Sequence, residues 1–220
     1  MFRKLRKRYK NFIKEKFLIT DIEGDSIDYE IFDSSVKRLS NPIGSSFEIG
    51  VRRGMGSKKI IEAYRKHHPN LPNHIHIGLD PYGHMPYNFS EDRKFSTDHT
   101  YTNLMKREMI INFSKKYNEF NFINLDTHEF FKRFKDGYPI YSKVKTIINK
   151  FEIVHFDGLH DIENVTLEVD YFLDHLSDQT IFIFDDTAAF DFESIKNRLI
   201  KSNFKLIEKR ERKASFEFLV

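Results

Sequence analysis

The chain has no cysteine. Disulfides, thiolate metal sites and cysteine nucleophiles are therefore excluded, and the absence is compatible with a reducing cytosol. It has no run of about eighteen apolar residues, so no membrane-spanning helix is predicted. The first residues lack the apolar stretch of a secretory leader. A cytoplasmic protein is the expectation, soluble or peripheral at a membrane surface. Internal repeats and low-complexity segments are missing as well.

What is present is unevenly charged. The 220 residues carry a net charge of +3 at pH 7. Residues 1–16 hold Arg3, Lys4, Arg6, Lys7, Arg8, Lys10, Lys14 and Lys16 against Glu15, a net of +7, which leaves −4 elsewhere. Basic character belongs to this one segment, not to the whole chain. Within it Phe2, Leu5, Tyr9, Phe12, Ile13 and Phe17 recur at helical spacing, predicting a basic amphipathic helix over 2–18. Such a helix can pack on a domain with its basic face in water, dock on an anionic membrane or a partner, or contact nucleic acid. Residues 20–34 are acidic and polar and read as a linker, followed by a short helix from Asp33 to Leu39. Asn41-Pro42 then turns the chain into its first strand.

The centre of the sequence is Phe47-Glu48-Ile49-Gly50-Val51-Arg52-Arg53-Gly54-Met55-Gly56-Ser57. A short apolar run stops at a glycine, two more glycines follow, and a helical pattern opens with Ser57 as its expected N-cap. Glycine lets a backbone approach a ligand without a Cβ in the way. The helix behind aims unpaired N–H groups and its positive dipole end at an anionic group, for roughly 0.3–1 kcal/mol. The alternative is a tight turn with no ligand.

From there strands and helices alternate. Strands are predicted at Ser46–Ile49, Ile75–Leu79, Phe120–Leu125, Phe151–Phe156 and Ile181–Phe184, with helices at Ser57–His68, Thr100–Lys116, Ile162–Leu176 and Ser194–Lys201. Phe204–Lys209 and Ser215–Val220 close the chain as a hairpin. This pattern predicts an α/β fold, a doubly wound and mostly parallel sheet with one antiparallel strand inserted by the hairpin. Residues 81–99 and 132–149 read as long loops, the first as a lid. His67, His68, His74, His76, His84 and His99 show no metal spacing and are expected on the surface or in loops.

Four strands end in aspartate: Asp80, Asp126, Asp157 and Asp185, the last followed by Asp186. Ligands of open parallel sheets bind outside the carboxyl ends of the strands. A single aspartate there is commonly a turn former or cap. Three carboxylates sharing one pocket repel by about 4 kcal/mol per close pair at an effective dielectric near 20. A positive group must offset that, and an oxygen-only donor set suits Mg²⁺ or a similar hard cation.

The spacing Glu48-x-Gly50-x-x-x-Gly54 is not that of a dinucleotide fold. It resembles the class I S-adenosylmethionine (SAM) methyltransferases. His155-Phe156-Asp157-Gly158-Leu159-His160 and Phe184-Asp185-Asp186-Thr187 resemble the D-G-x-H and D-D pair of their metal-dependent, macrocin-type sugar O-methyltransferase branch. The resemblance covers roughly residues 44–220, taken as a Rossmann-like methyltransferase domain with strand order 3-2-1-4-5-7-6. Residues 1–43 stand outside it as basic helix and linker. It implies SAM over Glu48, Gly50, Val51, Arg52, Gly54 and Ser57, its ribose on Asp80 beside Pro81, and Asp126 and Asp157 near the cofactor. It implies a divalent metal on Asp157, Asp185 and Asp186. The acceptor it implies is a hydroxyl of a sugar or glycosylated small molecule. The family's base is often an acid two residues after the first metal aspartate. Leu159 stands there, which makes His160 the candidate base. Two other classes stay open: a nucleic-acid methyltransferase, disfavoured by the confined basic charge and the missing Asn/Asp-Pro-Pro-Tyr/Phe motif, and a non-catalytic SAM-fold protein docked through its N-terminal helix. A homo-oligomer is compatible with the sequence.

Overall fold

The alternating apolar runs form a doubly wound sheet, described by a computed structural model over residues 22, 24, 26–71, 73–83, 102–141 and 144–220. The basic helix expected over 2–18, and all but the first three residues of the loop expected over 81–99, lie outside the described residues. The described elements are α1 (Glu30–Arg38), β1 (Ser45–Ile49), α2 (Met55–His67), β2 (Ile75–Leu79), α3 (Asn103–Lys116), β3 (Phe120–Ile123), α4 (Thr127–Arg133), β4 (Tyr138–Tyr141), β5 (Lys145–Ile148), β6 (Phe151–Phe156), α5 (Ile162–Leu173), β7 (Leu176–Phe184), α6 (Phe192–Lys201), β8 (Phe204–Lys209) and β9 (Ala214–Phe218).

Seven strands form one sheet in the order β3-β2-β1-β6-β7-β9-β8. Numbered within this sheet alone, the order is 3-2-1-4-5-7-6, as anticipated. Only β9 runs against its neighbours, pairing antiparallel with both β7 and β8. The period-2 alternation of a strand sorts residues between the two faces. Val154, Phe156, Phe182 and Phe184 face a core shared with Phe130 of α4, Phe172 of α5 and Leu199 of α6. Ile153, Ile181 and Ile183 face the opposite side, against Ile31, Phe32 and Val36 of α1 and Ile60 and Tyr64 of α2. α3 covers the sheet margin with Met105, Met109 and Phe113 beside Val51.

Several boundaries depart from the sequence reading. The short helix expected over Asp33–Leu39 spans Glu30–Arg38 and so begins within the stretch read as linker, with Ile31, Phe32, Ser35 and Val36 buried. The apolar i, i+1, i+5 pattern is easily lost among polar neighbours, and only packing on the sheet holds so short a helix. α2 starts at Met55, capped by the backbone of Gly54 rather than by Ser57. The stretch 132–149 is no loop: β4 and β5 pair antiparallel, Tyr138 against Ile148.

Phe32 is fully buried, with its ring 4.7 Å from that of His155 at 85°. Phe32→Ala should therefore destabilise the protein by about 3–5 kcal/mol. Urea denaturation would read this; a loss below about 1 kcal/mol would show α1 to be peripheral to the core.

Candidate active site

β1 ends on a loop that ties three strands together. The Gly50 N–H donates to the Leu79 carbonyl at 2.9 Å, and the Asp157 N–H to that of Ile49 at 3.0 Å. Gly50 has φ +83°, and a Cβ there would lie 1.9 Å from the Asp157 carbonyl oxygen. Gly54, at φ +87°, is the left-handed residue from which α2 starts. The loop therefore presents bare backbone in front of the α2 N-terminus, where the dipole favours negative charge.

Glu48 does not face that space. It is 1% exposed, with Oε2 accepting from the Ser57 hydroxyl and Oε1 lying 2.9 Å from His155 Nδ1. Ser57 Oγ is also 2.9 Å from His76 Nε2, His76 Nδ1 is 2.8 Å from Ser46 Oγ, and Ser46 is 2.9 Å from His74 Nε2. His74 and His76, expected near the surface, are thus buried beneath α2. Burial pushes both imidazoles down, His74 to about 3.

Asp80 is completely buried and also holds the loop. Its Oδ2 accepts from the N–H groups of Val51 (3.0 Å) and Arg52 (2.9 Å), and Oδ1 from that of Tyr82 (3.1 Å). Burial pushes its carboxyl up to about 7, against the pull of these three donors. The Tyr82 hydroxyl donates to the Arg52 carbonyl, so the residue after Pro81 clasps the loop from outside. Asp126 is exposed and caps α4, accepting from the Glu129 N–H at 2.8 Å.

The structure brings Asp157, Asp185, Asp186 and His160 together. His160 Nε2 is 3.7 Å from Asp157 Oδ1, and His160 Nδ1 is 3.7 Å from Asp186 Oδ2. Burial lowers the His160 pKa, partly opposed by the charges of Asp186 and Asp185. Asp186 has φ +45°, so the chain does turn between the paired aspartates. Asp185 points inward, where Lys213 Nζ donates to Oδ2, the Ser26 hydroxyl to Oδ1 at 3.1 Å and the Asp186 N–H to Oδ1 at 2.7 Å. Burial raises the Asp185 pKa, but Lys213 and these donors outweigh it and the net shift is downward. Arg212 Nε donates to Asp186 Oδ1 at 2.6 Å.

Positive charge opposite these acids comes from Arg212 and Lys213, which sequence reasoning missed. β9 pairs Ala214 with Phe184, so the residue before Ala214 falls opposite Asp185. Only the strand order makes that legible. Glu48, His155 and Asp157 also bring ligand-type atoms within 4.8 Å of one another, but Glu48 is committed to Ser57 and His155. A groove of about 970 Å³ lies between the β4–β5 hairpin and the opening residues of β1 and β2, with His74 in its lining. Chemistry in open α/β sheets sits at the other, carboxyl end.

A seven-stranded doubly wound sheet with this order, a glycine loop after β1 and acids on the following strand ends defines the methyltransferase fold class. The pattern of the methyltransferase domain family matches residues 47–187, and the chain belongs to that family. Membership implies SAM as the methyl donor. No curated protein matches the sequence. Among solved structures, the O-methyltransferase NovP is similar with a TM-score of 0.60 at 16% identity, over 87% of this chain and 79% of that one. CalS11, described as a TDP-rhamnose 3'-O-methyltransferase of calicheamicin biosynthesis, aligns with a TM-score of 0.51 at 18% identity, over 86% and 76%. A putative methyltransferase from Streptococcus mutans in complex with SAH aligns with a TM-score of 0.55 at 5% identity, over 89% and 100%. At these identities the likeness is one of fold. Among the described residues, no helix is long and apolar enough to cross a membrane.

The elevated Asp80 pKa has a consequence for stability. Between about pH 4 and 7 the folded protein keeps a proton on Asp80 that the unfolded chain has lost. This group's contribution therefore falls as pH rises through that window and is level above it. Asp80→Asn should give a flatter stability profile than the parent between these pH values, measured by urea unfolding. Identical profiles would show that Asp80 titrates normally.

Proposed function

We propose that the protein is a SAM-dependent O-methyltransferase acting on a hydroxyl of a sugar or glycosylated small molecule. The observation that carries this reading is the imidazole of His160, set 3.7 Å from a carboxylate on either side at the rim of the glycine loop. SAM, when bound, supplies an electrophilic methyl group. The backbone from Gly50 to Ser57 and the α2 N-terminus would receive it. Asp80 Oδ1, which accepts one N–H from Tyr82, retains acceptor capacity for a ribose hydroxyl once the Tyr82 clasp moves aside.

His160 is the base in this reading. Burial keeps its imidazole neutral near pH 7, able to take the acceptor's hydroxyl proton. Asp157 and Asp186 would then stabilise the imidazolium from both sides. With its proton on His160, the acceptor oxygen would be the nucleophile for the methyl group, whose bond to the SAM sulfur would break to leave S-adenosylhomocysteine, and His160 would pass its proton to solvent. The sugar-type acceptor is supported by the likeness in fold to CalS11, described as a TDP-rhamnose 3'-O-methyltransferase.

A Mg²⁺ site of Asp157, Asp185 and Asp186, as the resemblance implies, fits these side chains poorly. Both oxygens of Asp185 are taken by Lys213, Ser26 and the Asp186 N–H, and Arg212 holds one oxygen of Asp186.

Methyl incorporation from labelled SAM should be followed over a panel of sugar nucleotides, glycosides and RNA. Transfer to RNA alone would move the assignment to the nucleic-acid class. His160→Ala should cut turnover by about 10²–10⁴ while leaving SAM affinity unchanged in calorimetry. Asp80→Ala should weaken SAM binding by about tenfold or more, since hydrogen bonds to a charged group contribute about 1.5–3 kcal/mol. A folded parent protein that binds no SAM would remove the reading.

A further inference from the structure

We propose that Lys213 and Arg212 occupy the electrostatic role that a divalent cation would otherwise fill beside Asp157, Asp185 and Asp186, so that this methyltransferase works without a bound metal. The catalytic half of the statement rests on the function proposed above; the charge balance stands by itself. Lys213 is 0% exposed, and a buried ammonium is tolerated only when paired and hydrogen-bonded. Its Nζ donates to Asp185 Oδ2 and lies 3.0 Å from the Ser26 hydroxyl. The rings of Tyr29 and Phe32 stand 5.5 and 5.7 Å away, within cation–π range. Nothing about this lysine is that of a surface side chain drawn in by chance.

Arg212 completes the arrangement. Its Nε serves Asp186 Oδ1 at 2.6 Å and stands 3.9 Å from Asp185 Oδ1, so one guanidinium spans both paired aspartates. Three carboxylates face two fixed cations, leaving one negative charge for the site. His160 lies between the remaining oxygens, 3.7 Å from Asp157 and from Asp186, where a cation would have to sit to touch both. A hard divalent ion takes six or more oxygen donors in octahedral or larger shells. Here it would have to displace an ammonium, a guanidinium and an imidazole to collect three.

Manganese is the probe, with the free-ion electron paramagnetic resonance signal as the readout, on the full-length protein. The parent should leave the Mn²⁺ signal unchanged, and methyl transfer should persist after EDTA treatment. Lys213→Met strips Asp185 of its partner and should raise Mn²⁺ affinity at least about tenfold, as removal of a close positive charge requires. Where Lys213→Met does not fold, Arg212→Gln, at a half-buried position, should raise it through Asp186. Stoichiometric Mn²⁺ binding by the parent, lost in Asp185→Asn, would overturn the proposal. So would unchanged Mn²⁺ affinity in a folded Lys213→Met or Arg212→Gln protein. SAM calorimetry on the same samples separates the two claims. Absent SAM binding defeats the methyltransferase reading, whereas Mn²⁺ uptake decides the charge balance.

Discussion

A carboxylate in the middle of a parallel sheet is tolerable only when its oxygens are hydrogen-bonded, since an isolated buried ion costs several kcal/mol even after relaxation. Glu48 meets this condition with Ser57 from the first turn of α2 and His155 from β6, and so pins the glycine loop at both ends. It also orders the protons behind it. Ser57 gives its hydroxyl hydrogen to Glu48 and must accept from His76 Nε2–H. Neutral His76 then accepts at Nδ1 from Ser46, which in turn accepts from His74 Nε2–H. One charge thereby sets two histidine tautomers and fixes α2 against β1 and β2. Gly50 can turn against the Asp157 backbone because the loop carrying it is held from behind.

Four aspartates of the same local origin, each just past a strand, do four different things. Asp126 lies in water and caps a helix. Asp80 is dry and surrounded by N–H donors, and is spent on the loop. Asp185 faces the α1 side of the sheet because it continues the alternation of Ile181 and Ile183, which brings it to Lys213. Asp157 stays partly open and shares His160 with Asp186. Residue type is common to all, and Asp80, Asp157 and Asp185 directly follow their strands while Asp126 stands three residues beyond Ile123; what differs most is the neighbour each one meets.

Much of the fold was legible. The apolar runs and the closing pair of strands predict a mostly parallel sheet with one antiparallel strand, and the strand order is the one the methyltransferase resemblance implies. Placement was legible where it depends on motif and strand end, with Gly50 in a turn and Asp80, Asp157 and Asp185 directly after strands. It was illegible where it depends on who lies across the sheet. Lys213 and Arg212 look like the charged turn of any surface hairpin until β9 is placed beside β7. His76 looks like a polar residue in a short strand until Ser46 and Ser57 are found on either side of it. The β4–β5 hairpin was hidden by Gly137-Tyr138-Pro139 at its entry, which reads as loop until Tyr138 finds Ile148.

The matched family span, 47–187, contains the glycine loop, Asp80, Asp157 and the aspartate pair, but not the groups that complete them. Arg212 and Lys213 follow it in sequence. Ser26 and Phe32 precede it, in a stretch that from sequence alone reads as linker and short helix. Ser26 donates to Asp185 and lies against Lys213, and the Phe32 ring packs on His155, which holds Glu48. Ile22 joins Val51 and Tyr82 on the other side of the loop. The acids thus lie within the matched span, while Ser26, Arg212 and Lys213, which balance Asp185 and Asp186, lie outside it. A change at Arg212 or Lys213 therefore alters the charge at the acid cluster, whereas one at Ile22 or Phe32 also reaches the glycine loop or the contacts of Glu48 behind it.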